Sequence, residues 1–179
     1  TAVSPSLPDA ERQYAHDFAR RLGVTHLEAA TQEMLRPGYR ENGTSRCYFC
    51  KAELLDVVGG HLSVLPAGAR VATGTNADDL VAGFRPGIRA AADRGAVTPL
   101  ADAGMSKQLI RDTAREWGLA IWDKPQAACL SSRVAYGIQI SPQRLARVEA
   151  AELALRRALA DSGVSSVDVR VRDLGEQAR

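Results

Sequence analysis

The chain has 179 residues, a length that suits one domain or one domain with a small appendage. Its residues are 45% hydrophobic and 25% charged, which is ordinary for a globular protein and excludes a disordered one. A net charge of +2 is too small to indicate nucleic-acid binding, and no apolar run forms a secretory segment or reaches the roughly 18 to 20 residues of a membrane span.

The hydrophobic pattern predicts helices that alternate with strands, which is typical of a parallel sheet covered by helices. The first predicted elements are the end of a strand at 2–3, a helix over 9–22 closed by Gly23, a strand over 24–29 and a loop over 38–45. A helix over 47–58, ended by two glycines, and a buried strand over 70–74 follow. The last are a helix over 102–118, capped by Ser106 and stopped at Gly118, a helix over 142–159 and a strand over 167–171. Trp117 and Trp122 are predicted to lie in the core, and a cluster of prolines and a glycine indicates a boundary near 123–140.

Three cysteines carry the clearest chemical signal. An odd number fits poorly with a set of disulfides, so the pattern favours metal or redox chemistry in a cytosolic protein. Cys47 and Cys50 are three positions apart at the start of a predicted helix, which places their β-carbons roughly 5 to 6 Å apart on one face. Arg46 and Lys51 flank them and favour thiolate over thiol. Cys129 stands in a run of small and polar residues, typical of a loop that enters a site.

The residues leave several interpretations of these cysteines open. Cys47 and Cys50 alone could be two half-buried small hydrophobic residues or a redox pair. A structural zinc site requires four ligands, and His61 is a candidate for the fourth beside the three cysteines. Three thiolates also suit a [4Fe-4S] cluster whose fourth iron stays open to an exogenous ligand, and that option needs no further residue.

A second group of candidate residues follows the predicted strand 70–74. Gly74 lets a ligand approach the backbone closely, and Thr75 and Asn76 offer hydrogen bonds at the end of a parallel strand where ligands bind. The carboxylate of Asp78 or Asp79 could hold a Mg²⁺ ion that bridges phosphates. An Asx-type turn with a helix N-cap at Asn76 or Asp78 explains the same residues structurally.

Several basic residues are candidates for binding an anion. Arg170 and Arg172 are two positions apart on a predicted strand, so they point to the same face and could clamp an anionic substrate. The other candidates for a phosphate are Arg85, Arg89, Lys124 and Arg133, each of which is also explained as solvated surface.

Four runs of residues, taken together, resemble one known family. They are RCYFCK at 46–51, GTNADDL at 74–80, FRPGIRAA at 84–91 and the run from WDKP to ACLSSR at 122–133. These runs are similar to those of the LarE family, ATP-dependent sulfur transferases of the PP-loop ATP-pyrophosphatase superfamily. The match extends over nearly the whole chain, and four motifs in the same order are more specific than any one of them.

The resemblance implies an α/β fold of the adenine nucleotide alpha hydrolase-like, PP-loop type, with a parallel sheet flanked by helices over 1–125. A small, incomplete C-terminal α+β sulfur-transferase domain is expected over 126–179. Such an enzyme activates a carboxylate of pyridinium-3,5-dicarboxylate mononucleotide with ATP and Mg²⁺, forms an adenylate and replaces AMP with sulfur. The product leads to the nickel-pincer cofactor of lactate racemase.

The resemblance also implies roles for individual residues. Cys47, Cys50 and Cys129 would hold a [4Fe-4S] cluster that carries the sulfur, with Cys129 at the catalytic centre. A family member with Cys129 alone would give up its own sulfur instead. The residues expected to bind ATP, Mg²⁺ or substrate are Gly74, Thr75, Asn76, Asp78, Asp79, Arg133, Arg170 and Arg172. A sulfide or sulfur donor, a homo-oligomer and a cytoplasmic location are expected from the same likeness.

The chain departs from the family at its ends. The family's phosphate-binding loop should precede Thr1, and the chain stops inside the expected C-terminal domain, so the sequence predicts an incomplete chain. Three other functions fit part of the pattern: a cluster-dependent tRNA thiolase, an ATP pyrophosphatase that uses ammonia, and a zinc-stabilised binding module. The small net charge argues against the first, and the second has no need for the three cysteines.

Overall fold

The computed structural model describes residues 1–61, 67–165 and 168–179. These residues divide into two compact units, the first formed by 1–46 and 127–179 and the second by 47–126. The sequence-based division at 125/126 stays a prediction. In the described part of the chain, no helix combines the length and the apolar character needed to cross a bilayer.

The regular elements of the described residues are short strands and helices of very different length. They are β1 (Ala2–Val3), α1 (Asp9–Leu22), β2 (Ala29–Ala30), α2 (Pro37–Arg40), α3 (Arg46–His61), α4 (Ala77–Val81), α5 (Pro86–Ala92), α6 (Pro99–Asp102), α7 (Lys107–Glu116) and α8 (Pro142–Asp161), with 3₁₀ turns at Glu33–Leu35 and Leu130–Arg133. The parallel α/β sheet stays a prediction, since these residues contain a two-stranded parallel sheet, two isolated parallel bridges and one isolated antiparallel bridge.

The first unit contains the two helices that the sequence predicted best. Helix α1 has the predicted bounds, and Gly23 closes it in the left-handed conformation, with a φ of 66°. Helix α8 begins at Pro142, where the side chain of Ser141 accepts a hydrogen bond from the Arg144 N–H, and it extends two residues past the predicted end. Its apolar face is buried at Leu145 and Val148.

Two other helices show how local capping sets the ends. Ser106 caps α7 as predicted, accepting a hydrogen bond from the Leu109 N–H, but the helix starts later than residue 102 because Gly104 has a φ of 66°. Helix α3 continues through Gly59 and Gly60 to His61, so the prediction that the glycines end it is wrong. Glycine weakens a helix by only about 1 kcal/mol per residue, which a helix of 16 residues tolerates near its end.

The predicted strands are mostly absent from the described residues. Of 24–29 only Ala29 is in a strand, and 70–74 forms one parallel bridge between Ala72 and Val97. Val71 and Thr73 each bond to Val97 through the backbone, and Ala72 is exposed rather than buried. A strand depends on neighbours that the local pattern does not specify, whereas a helix bonds within itself.

Three further predictions are wrong. The loop predicted over 38–45 includes most of α2, which starts at a proline, a favourable first helical residue. Residues 168–171 form no strand, and Val167 lies outside the described residues. Trp117 is 72% exposed and Trp122 is 39% exposed, so neither lies in a core. Trp117 stands just past the end of α7, where it leaves the helix's apolar face.

The C-terminal segment is tied to α8 through the buried carboxylate of Asp173. Arg144 donates to both of its oxygens at 2.7 Å, and Arg147 donates to one of them at 3.0 Å. Burial raises the pKa of Asp173, but the N–H of Gly175 and the two guanidinium groups together lower it more, so the pKa lies below its ordinary value. The charged form is therefore the one that stabilises the fold.

We expect Asp173→Asn to make stability less dependent on pH in acid. Because the folded-state pKa is lowered, the stabilisation is complete above the unfolded-state pKa of about 4 and is lost as the pH falls through the folded-state pKa. Urea unfolding at a series of pH values should show the wild-type chain more stable near neutrality, with the difference shrinking below about pH 4. Asp168→Asn, at an exposed carboxylate of the same segment, is the control. A difference that stays constant down to the lowest pH would contradict the assignment.

Candidate functional site

Cys47 and Cys50 lie on the first turns of α3 in the second unit. Cys47 is exposed and Cys50 is half-buried. Helix α5 approaches this end of α3 closely, because a Cβ atom added at Gly87 would lie 3.5 Å from the Cys47 carbonyl oxygen and 3.8 Å from the Cβ of Lys51. Gly87 of α5 therefore lies directly beside the part of the α3 backbone that bears the two thiols.

Cys129 lies in the first unit, at the N-cap position of the 3₁₀ turn Leu130–Arg133, and is half-buried. Its carbonyl accepts a hydrogen bond from the Ser132 hydroxyl at 2.7 Å. The next residue, Leu130, is buried, and its N–H donates to the Ser6 carbonyl at 2.9 Å. The main chain on the C-terminal side of the thiol is thus fixed by backbone hydrogen bonds.

Arg133 holds the same segment from within. Its side chain is only 7% exposed, so the interpretation of Arg133 as solvated surface is wrong. Its Nη1 donates to the carbonyls of Ala128 at 2.5 Å and Cys129 at 2.9 Å, and its Nε donates to Glu152 on α8 at 2.9 Å. The carbonyl groups beside Cys129 are therefore fixed by a guanidinium that is itself held by a buried carboxylate. A role for Arg133 in binding phosphate stays a prediction.

Residues 39–46, which we call the clasp, hold the segment that follows Cys129. The hydroxyl of Tyr39 shares a hydrogen bond of 2.5 Å with that of Ser131, and Nη1 of Arg46 donates to the Ser131 carbonyl at 2.8 Å. Asn42 is fully buried with a φ of 55°, and its amide donates to the carbonyls of Ala135 at 2.8 Å and of residue 138 at 3.0 Å. Asparagine tolerates this left-handed conformation better than most residues.

Behind the clasp, a buried carboxylate is bonded to hydroxyl groups. Glu33 accepts hydrogen bonds from Ser4 and from Ser6, the latter at 2.9 Å. Ser6 in turn shares a hydrogen bond of 2.5 Å with Tyr39, which connects Glu33 to Ser131 through two hydroxyl groups. Each of these buried polar groups has a partner, as buried polar groups require.

The residues that follow Gly74, at the start of α4, have a clear structural role in the second unit. Asn76 caps α4: its side chain accepts from the Asp79 N–H at 3.1 Å, while the Asp79 side chain accepts from the Asn76 N–H at 3.3 Å. The predicted N-cap at Asn76 is confirmed. Asp78 accepts from the Lys107 N–H at 2.8 Å, and a Cβ at Gly74 would meet open space. The roles of these residues and of Thr75 toward ATP and Mg²⁺ stay predictions.

Arg170 and Arg172 share an exposed side of the C-terminal segment, although it is not a strand. Both are exposed, whereas Val169 and Asp173 are buried, so the alternation expected of a strand is kept. Arg170 pairs with the exposed Asp168 at 3.0 Å. Their role in clamping an anionic substrate stays a prediction.

The candidate metal ligands are divided between the two units, with Cys47 and Cys50 in one and Cys129 in the other. All three are thiols rather than disulfides, as the odd number indicated. Within the described residues of either unit, no three His, Cys, Asp or Glu side chains are grouped closely enough to hold a metal ion. His61 lies exposed at the end of α3. The ligand set stays a prediction.

Sequence reasoning missed the residues that support the Cys129 segment, above all Glu152, Asn42 and Tyr39. Glu152 did carry a signal, because it follows Leu145 and Val148 on the apolar face of α8, where a carboxylate needs a buried partner. Asn42 carried none, since a polar residue in a predicted loop is unremarkable. Only the fold shows that its side chain bonds to carbonyls more than ninety residues away.

Comparison with known proteins finds relatives of the chain but no matching family model. An uncharacterized protein of Synechocystis is 45% identical over 157 residues, which are 88% of this chain and 58% of that protein. The pyridinium-3,5-bisthiocarboxylic acid mononucleotide synthase of Lactiplantibacillus plantarum is 29% identical over 160 residues, 87% of this chain and 55% of that protein. An uncharacterized protein of Methanocaldococcus jannaschii is 31% identical over 133 residues, 74% of this chain and 49% of that protein.

These likenesses cover most of this chain and only part of each relative. The chain spans about half the length of the curated relatives it matches. It is a distant relative of the synthase, which supports the resemblance to LarE proteins seen in its motifs.

We expect Glu152→Gln to destabilise the chain by about 3 kcal/mol, because it leaves the buried guanidinium of Arg133 without a counter-charge. Glu149→Gln is the matched control, the same change on the same helix at a half-buried carboxylate that accepts one backbone hydrogen bond. Urea unfolding of both variants at neutral pH gives the comparison. Equal losses in the two variants would show that the Arg133–Glu152 pair contributes no more than an ordinary surface contact.

Proposed function

We propose that this chain is part of an ATP-dependent sulfur transferase. The enzyme converts carboxylates of pyridinium-3,5-dicarboxylate mononucleotide to thiocarboxylates through an adenylate, in the biosynthesis of a nickel-pincer cofactor. The observation that carries the proposal is the similarity to the pyridinium-3,5-bisthiocarboxylic acid mononucleotide synthase over most of the chain. The order of the four sequence motifs supports the same assignment.

The three cysteines fit a [4Fe-4S] cluster by their chemistry. All are thiols, none is fully buried, and two of them lie one turn apart at the start of α3. Cys47, Cys50 and Cys129 would hold three irons, which leaves the fourth open. When bound, such a cluster would carry sulfide delivered by a sulfur donor, and this sulfide would replace AMP, so that no side chain is consumed.

The surroundings of Cys129 are suited to holding a reactive group in place. A transferring group reacts fastest when it is fixed before the substrate arrives, because the cost of ordering it is then already met by the fold. The Cys129 carbonyl is bonded to Ser132 and to Arg133, and Arg133 is bonded to Glu152. In the proposed enzyme these contacts hold the backbone of Cys129 in one conformation before the substrate arrives.

The activation step requires that ATP be bound with its phosphates accessible to the substrate carboxylate. We propose that the open backbone at Gly74 and the start of α4 receive the nucleotide, with Asp78 and Asp79 beside Mg²⁺. The space around Gly74 supports this assignment. Arg170 and Arg172 would bind the anionic substrate from the exposed side of their segment.

Iron and acid-labile sulfide, measured on the chain after anaerobic reconstitution, test the proposal. We expect about four irons per chain with broad visible absorption, and the loss of both in Cys47→Ala, Cys50→Ala and Cys129→Ala. His61→Ala is the control, since it removes the alternative zinc ligand and should leave the iron content unchanged. Circular dichroism should show that all the variants fold.

Two outcomes would contradict the cluster. Stoichiometric zinc that is lost in His61→Ala would assign the cysteines to a structural metal site. Absence of iron, together with loss of the Cys129 sulfur from the mass of the intact protein after turnover, would make Cys129 a sacrificial donor. The second result would leave the sulfur-transferase assignment standing, whereas the first would remove it.

A further inference from the structure

Two arginines are buried in the described part of the chain, and only one of them is paired there with a carboxylate. Arg133 is 7% exposed and forms an ion pair with Glu152 at 2.9 Å. Arg46 is 5% exposed, and its partners are the side-chain oxygen of Asn42 at 2.6 Å and the carbonyl of Ser131 at 2.8 Å. Both partners are neutral. Among the described residues, no carboxylate forms an ion pair with Arg46.

A buried cation without a counter-charge is unfavourable, because the lost hydration is not replaced by an ionic interaction. The ring of Tyr136 compensates in part, since the Arg46 guanidinium lies 5.8 Å from its centroid. A cation–π contact at this distance is weaker than the pairing that Arg133 obtains from Glu152. Arg46 therefore lies where an added anion would be bound favourably.

The contacts of Arg46 leave one edge of its guanidinium without a hydrogen bond in the described part of the chain. Both hydrogen bonds to the protein are made by Nη1. Within the described residues, Nε and Nη2 have no hydrogen-bond acceptor. These two nitrogens form the edge that binds a carboxylate or a phosphate through two parallel hydrogen bonds. Because Nη1 is already anchored, that edge is held in one orientation before any ligand arrives.

We propose that Arg46 binds an oxyanion of the substrate through Nε and Nη2. The inference rests on the proposed function, whose substrate carries carboxylates and a phosphate, and either group has the required chemistry. The position suits such a role along the chain, since Arg46 directly precedes Cys47, and Ser131, which it holds, follows Cys129 by two residues. A substrate anchored at Arg46 is thereby bound to a residue that contacts the segment carrying Cys129.

Nuclear magnetic resonance of the arginine side chains in the ¹⁵N-labelled, metal-free chain tests this site directly. The Nε–H signal of Arg46 is identified by its absence from Arg46→Lys, and inorganic phosphate and pyridine-3,5-dicarboxylate are titrated separately at constant ionic strength. We expect a saturable shift of the Arg46 signal with at least one probe. The signals of Arg12 and Arg94, whose Nε atoms are paired with Glu28 and Asp56, are internal controls and should stay in place.

The two probes distinguish the source of the oxyanion. A shift with phosphate alone assigns Arg46 to the phosphate of the mononucleotide, and a shift with the dicarboxylate alone assigns it to the reacting carboxylate. Thermal unfolding provides a second measurement: the effective probe should raise the midpoint of the wild-type chain and of Arg12→Lys, but not that of Arg46→Lys. The main readout comes from the wild-type chain, so a poorly folded variant does not prevent the test.

Three results would overturn the inference. These are no shift with either probe, equal shifts at all exposed arginines, and an Arg46 signal that moves only when iron and sulfide are added. The last would show that the metal centre, not a substrate oxyanion, provides the counter-charge. Each of them leaves the iron and sulfide measurements on the cysteine variants to decide the proposed function separately.

Discussion

In the first unit, a cation and a carboxylate are buried together: Arg133 in the 3₁₀ turn after Cys129, and Glu152 on α8. Glu152 also accepts hydrogen bonds from the Val171 N–H at 3.1 Å and from Arg156 at 3.0 Å, while Arg133 donates to the carbonyl of Cys129. One ion pair therefore connects a long helix, the C-terminal segment and the loop with the third cysteine. Because removing Glu152 would leave the buried charge of Arg133 without its carboxylate partner, these three parts are held in one arrangement.

The sequence predicts those parts of the fold that local interactions determine. Helices α1 and α8 were predicted well because their apolar spacing, their caps and the left-handed Gly23 all act within a few residues. The strand predicted at 70–74 forms a single bridge, since its ladder depends on a neighbour at Val97, which the local pattern does not identify. The core position predicted for Trp117 failed for a related reason: composition favours burial, but the helix ends one residue earlier.

The same distinction applies to the candidate site. The sequence identifies residues whose chemistry is unusual in itself, such as Cys129 and its two fellow cysteines, and the family resemblance gives them a role. It does not identify residues that matter through a distant contact. Asn42 and Tyr39 have ordinary side chains in an ordinary segment, and they matter because Ser131 and its neighbours lie against them in the fold. A carboxylate on an apolar helix face, as at Glu152, is the exception that a sequence can show.

The two arginines that are buried in the described residues differ in whether the chain itself supplies a counter-charge. Arg133 has its counter-charge within the chain, so the carbonyl groups beside Cys129 are fixed whether or not anything is bound. Arg46 is also anchored, by Asn42 and Ser131, but both of these partners are neutral, and in the described residues its charge has no paired carboxylate. A guanidinium that is oriented and not neutralised loses little entropy when an oxyanion binds and gains the full ionic interaction. Within the clasp, a fixed orientation and a charge without a paired carboxylate thus occur in the same residue, a combination that favours the binding of an anion.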